Sequence, residues 1–84
     1  MPTLAIVAGV RIVIYLKDHV PPHLHAFFAD DEAQISILTG DVLNGSLPHS
    51  KLRAVQQWLD AHRDQVSYIW SEIREGRGPE GMIE

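Results

Sequence analysis

The sequence predicts an α+β domain: a small, mostly antiparallel sheet of three to four strands, followed by two C-terminal helices packed on one of its faces. Three observations predict it. Apolar and polar residues alternate with period two from Val10 to Leu16, and the alternation resumes from His23 to Leu38. That is the period of a half-buried strand. From Leu52 to Ile73 the apolar residues recur at spacings of three and four, the period of an amphipathic helix. Strands grouped first and helices grouped last argue for α+β rather than for an alternating parallel fold.

The elements follow in order. Leu4 to Val7 is a short apolar run, an edge or swapped strand, and Gly9 punctuates it. Val10, Ile12, Ile14 and Leu16 then alternate with Arg11, Val13, Tyr15 and Lys17. Asp18 and the prolines at 21 and 22 end this strand, because proline cannot donate to a ladder. In the next strand His23, His25 and Phe27 point one way, and Leu24, Ala26 and Phe28 the other. Asp30-Asp31 lacks the glycine of a tight two-residue turn, which favours a four-residue loop over Ala29-Asp30-Asp31-Glu32. That register pairs Phe28 with Ala33, Ala26 with Ile35 and Leu24 with Ile37, all on one face for the helices to cover. It sets His25 opposite Ser36 and Phe27 opposite Gln34 on the other face. After Thr39-Gly40-Asp41 comes a brief strand at Val42-Leu43-Asn44. Pro48 suits a first helical turn. Leu52, Val55, Leu59, His62, Val66, Ile69 and Ile73 form the stripe, flanked by Trp58 and Trp70. One helix of that length would reach about 40 Å, so two helices bent near His62-Arg63-Asp64 are expected.

At 84 residues the chain reads as one domain over 1–75 with a flexible tail over 76–84. Such a domain buries roughly 60–65% of its unfolded surface, enough for a single thin core. There is no cysteine, which removes disulfides, thiolate–zinc sites and cysteine nucleophiles. A domain this small without staples fits the cytoplasm. The opening Met1-Pro2-Thr3-Leu4-Ala5-Ile6-Val7-Ala8 lacks the basic region of a signal peptide and is too short to span a bilayer. A net charge of −4 argues against a protein that coats nucleic acid non-specifically, while leaving room for a local basic patch.

The chemistry concentrates in Asp18-His19-Val20-Pro21-Pro22-His23-Leu24-His25. His23 and His25 lie on the same side of a strand, about 6–7 Å apart. With His19 as a third ligand and Asp18 as a fourth or as a supporting acceptor, the set suits a divalent metal such as zinc. The same His19, His23 and His25 suit metal-free acid–base catalysis, as in RNA cleavage, because histidine titrates near neutrality. Arg11, Lys17, Lys51 and Arg53 are then the candidate phosphate-binding cations. A structural role accounts for the same residues, and for His23 and His25 on a solvated face: Asp18 caps the loop, His19 donates to a carbonyl, and the prolines stiffen the connection. Phe27 beside the histidines, with Tyr15 and Arg11 on the neighbouring strand, reads as a covered surface, hence a protein partner or a homodimer. His62 reads as a hydrogen-bonded stripe residue or helix terminator, His49 as surface, and Asp30-Asp31-Glu32 as a solvated turn.

Met1-Pro2-Thr3, Gly9, the Asp18-His19-x-Pro21-Pro22-His23-x-His25 motif and Trp70 together resemble the short bacterial family called domain of unknown function 4160. The resemblance covers nearly the whole chain. It implies a small cytoplasmic protein, commonly encoded beside another small protein in pairs that resemble toxin–antitoxin modules. A dedicated protein partner from the neighbouring gene is therefore expected. The resemblance implies no reaction and does not say which half of such a pair this chain is.

Overall fold

In the computed structural model, which describes residues 3–15 and 21–75, the elements run β1 (Thr3–Val7), β2 (Val10–Val13), β3 (His23–Phe28), β4 (Asp31–Ser36), β5 (Val42–Gly45) and α1 (His49–Arg74). The fold is α+β, with one antiparallel sheet and a C-terminal helix. Each strand pairs with the next, so sheet order is chain order. The described residues form five strands, not the expected three or four. Five are reached because the two short runs at the edges, Leu4–Val7 and Val42-Leu43-Asn44, both join the sheet, as β1 and β5. β2 is also shorter than the alternation suggests and ends at Val13.

The turns set the register. Ala8 and Gly9 both take positive φ, 51° and 82°, the backbone that two-residue hairpins favour because its twist matches the strands. The β3–β4 loop is also two residues, Ala29-Asp30, rather than the expected four. Ala29 makes this turn at φ 52° without glycine's help. The parity of the faces is unchanged, but the register slips by two. His25 therefore faces Gln34, not Ser36; Phe27 faces Glu32, not Gln34; and His23 faces Ser36. Glu32 moves from a loop into a strand.

One face of the sheet forms the core. Val10, Ile12, Ile14, Leu24, Ala26, Ala33, Ile35 and Ile37 are buried with Val55, Leu59, Val66, Ile69, Trp70 and Ile73 of α1. Each fully buried Leu or Ile there contributes roughly 1.5–3 kcal/mol. The expected covering of the Leu24/Ala26 and Ala33/Ile35/Ile37 face by the helical stripe is what the structure has.

The two expected helices are a single helical element with a bend inside it. Pro48 precedes it as the N-cap, one position earlier than expected, and its carbonyl accepts from the N–H groups of Lys51 and Leu52 at 3.0 and 2.9 Å. At His62 the backbone leaves the helical region, with φ −124° and ψ 16°. The His62 Nδ1–H donates to the Trp58 carbonyl at 2.8 Å, the carbonyl that a regular helix offers to the His62 backbone N–H. A side chain inserted in the ladder is an established cause of kinking. The bend is braced from both sides. Gln56, before it, donates to the Gly40 carbonyl at 2.9 Å, and Arg63, after it, donates to the Ile37 carbonyl at 2.9 Å. A straight helix of this length would span about 39 Å, more than the molecule's longest dimension of 33 Å. The physical premise about length holds, and the chain meets it with a kink rather than a break.

Candidate functional site

The histidines lie on the sheet face opposite the main core, in three cross-strand rows. Residues paired across antiparallel strands share a face. The first row is Ile6, Arg11, Phe27 and Glu32, from β1 to β4. The second is Val13, His25, Gln34 and Asn44, from β2 to β5. The third pairs His23 with Ser36. Tyr15, two residues beyond the end of β2, meets His25 of the second row.

Local sequence explains how His23 is held. Pro21 and Pro22 cannot donate hydrogen bonds, but both carbonyls accept them. The Pro22 carbonyl takes the Ile37 N–H at 3.0 Å and starts the β3–β4 ladder. The Pro21 carbonyl takes the His23 Nδ1–H at 2.8 Å. The diproline thus delivers the chain into β3 with the His23 ring already anchored. His25 is anchored across the hairpin, its Nδ1 donating to the Glu32 carboxylate at 3.2 Å. A carbonyl or carboxylate only accepts, so both rings carry a proton at Nδ1.

The rings form a continuous set. His23 and His25 have centroids 5.1 Å apart. Tyr15 meets His25 edge-on at 4.5 Å, and Phe27 stacks on its other side at 6.4 Å and 14°. Trp70 of α1 lies 5.7 Å from His23. The Arg11 guanidinium sits over the Phe27 ring at 5.2 Å, within cation–π range.

These facts correct one expectation. Sequence parity places the histidines on an exposed face clear of the helix. In the structure His23 is only 9% and His25 only 6% exposed, and Trp70 brings the helix onto His23. Their neighbours are more open: Tyr15, Phe27 and Gln34 are half-buried, while Arg11, Glu32, Asn44 and Ile6 are exposed. The face is therefore graded, closed around the histidines and open along the Ile6–Glu32 row.

Of the sequence-predicted site residues, the structure brings together His23, His25, Tyr15, Phe27 and Arg11. Asp18 and His19, the rest of the proposed metal and catalytic set, lie outside the described residues, as do Lys17 and the tail over 76–84. Among the described residues no group of three or more His, Asp or Glu side chains is placed to hold a metal. Lys51 is not at the site. Its ammonium donates to the Ala8 carbonyl at 2.8 Å and lies 4.8 Å over Phe28, which points to the other face. Arg53 is exposed on α1, leaving Arg11 as the described candidate cation beside the histidines. His49 is exposed at the helix start, and His62 serves the kink.

Two residues escape the sequence reading. Glu32 reads there as part of a solvated turn, and a two-residue loop would have revealed it beside His25. Trp70 reads as core, which it is, and its contact with His23 carries no signal in a helical stripe.

A family model described as domain of unknown function (DUF4160) matches residues 9–71, most of the chain and all of the Asp18–His25 motif. The chain belongs to that family. No curated protein and no solved structure matches it. Among the described residues no helix is long and apolar enough to cross a membrane.

Proposed function

We propose that this chain is a small cytoplasmic component of toxin–antitoxin type that acts through a protein partner, and that the partner docks on the face bearing Arg11, Tyr15 and Phe27. The observation that carries the reading is the open row beside the closed histidine cluster. Ile6, at 60% exposure, Arg11, a half-buried Phe27 and Glu32 combine apolar, aromatic and charged groups in one strip. Aromatic residues and arginine are the groups that dominate protein interfaces. The family resemblance supports a partner encoded by the neighbouring gene, and a cysteine-free chain of net charge −4 suits the cytoplasm better than a nucleic-acid coat. Co-expression with the neighbouring gene product tests this. The pair is expected to co-purify, and a Phe27→Ala chain is expected to lose the partner while remaining folded. A chain that never retains its neighbour overturns the proposal.

A second reading, a hydrolase or ribonuclease using His19, His23 and His25, has its own support. Both described histidines are anchored through Nδ1, which fixes the orientation of two imidazoles whose centroids lie 5.1 Å apart. A carboxylate holding the far nitrogen of a working imidazole is a recurring device in metal sites and in catalytic triads. His23→Ala with unchanged folding and an unchanged cellular effect counts against it. Metal analysis of untagged protein separates a zinc-type site, which would draw on Asp18, His19, His23 and His25, from metal-free chemistry.

A further inference from the structure

The open row has a symmetry of its own. Arg11 on β2, Phe27 on β3 and Glu32 on β4 are directly paired neighbours, so a positive charge and a negative charge flank one aromatic ring on consecutive strands. We propose that a second copy of this chain docks on this row, face to face, about a two-fold axis that runs along β3 at Phe27. This rests on reading the face as a docking surface and names its occupant in the free protein.

Rotation by 180° about a line along β3 exchanges the two flanking strands. Arg11 of one copy then lies over Glu32 of the other, Glu32 lies over Arg11, and the two Phe27 rings meet on the axis. One contact made twice is what a closed two-fold interface requires. Face-to-face sheets pack about 10 Å apart with strands nearly aligned, and a two-fold along a strand yields that arrangement. The groups are available for it. Arg11 is exposed, and the Glu32 side chain is 48% exposed while holding His25. Ile6, exposed beside Arg11, is covered at the rim of the same contact. Each copy carries net charge −4 and repels the other at long range. The two ion pairs act at short range, where screening by salt is weakest. The consequence for the site is closure of the row next to His25, which the cluster's own burial leaves open.

Charge exchange tests the proposal, read by sedimentation of the purified full chain from micromolar to near-millimolar concentration. The wild-type chain is expected to sediment as a dimer. Arg11→Glu sets carboxylate against carboxylate at both symmetric contacts, and Glu32→Arg sets guanidinium against guanidinium at both. Each variant alone is expected to dissociate at least about tenfold more readily, because like charges facing across an interface are strongly unfavourable. Mixed one to one, the two variants restore both opposite-charge pairs and are expected to form a heterodimer. That rescue also shows that neither variant is merely unfolded. A wild-type chain that stays single at every concentration overturns the proposal, and so does a mixture that fails to associate. A single wild-type chain that still binds the neighbouring gene product through Phe27 removes the dimer and leaves the partner reading intact. A dimer with this charge pattern and no affinity for the neighbour does the reverse.

Discussion

Gly45→Ala is expected to destabilise the domain more than the same change at Gly9, although the two glycines have nearly the same backbone. Their φ angles are 76° and 82°, in the left-handed region where an L side chain costs about 1–2 kcal/mol. Their surroundings differ. A Cβ at Gly9 meets only the Phe28 ring at 3.7 Å, an ordinary contact, and Ala8 beside it already sits at φ 51°. A Cβ at Gly45 overlaps the Glu32 carbonyl oxygen and stands 3.1 Å from its carbon and 3.2 Å from Ala33 Cα. Those are backbone atoms of β4, so β5 has to move away. The Ser46 N–H bond to the Glu32 carbonyl, 3.0 Å long, is then lost, at about 0.5–1.5 kcal/mol. Strain and lost bonding together reach about 1.5–3.5 kcal/mol for Gly45→Ala, against about 1–2 kcal/mol for Gly9→Ala. A domain of this size has roughly 4–13 kcal/mol in total. At about 4–8 °C per kcal/mol, Gly45→Ala should lower Tm by about 6–28 °C, against about 4–16 °C for Gly9→Ala. Thermal and urea unfolding followed by circular dichroism measure both variants. Equal losses at the two positions would refute the β4–β5 register and the close approach at Glu32.

Three further outcomes are expected. Leu59→Ala removes a fully buried side chain from the core and should cost about 2–5 kcal/mol in urea unfolding. Arg63→Ala frees the Ile37 carbonyl and should cost about 1.5–3 kcal/mol, whereas Arg53→Ala, on the exposed side of α1, should stay within about 0.5 kcal/mol. Glu32→Ala removes the acceptor at His25 Nδ1. Nitrogen NMR of the imidazoles should show His25 shifting away from its Nδ1–H tautomer while His23, bonded to the Pro21 carbonyl, keeps its own.

The parity of the β3 residues was legible from alternation alone. Leu24 and Ala26 separate from His23 and His25 whichever even-numbered loop joins the strands, because side-chain direction has a period of two. Register was not legible. It turned on Ala29 accepting a left-handed backbone, a choice that a glycine would have advertised and an alanine does not. That single slip hid Glu32, and with it the His25 anchor. The helix stripe was plain in the sequence, and so was its excess length. The means of shortening it was not, since it depends on the His62 ring reaching back to Trp58 and on Gln56 and Arg63 finding carbonyls in a distant turn. Burial of the histidines was missed for a related reason. Trp70 flanks the core stripe, and a helical period does not say that its ring reaches His23.

The central claim is that the chain works through a protein bound on its Arg11–Phe27 face. Affinity of the purified chain for its neighbouring gene product, measured by titration calorimetry for wild type and for Phe27→Ala, tests it most directly. The wild-type chain should bind, and Phe27→Ala, with an unchanged circular dichroism spectrum, should bind at least about tenfold more weakly, as removal of a central aromatic anchor does. Equal affinity of the two chains, or no binding by wild type, would contradict it.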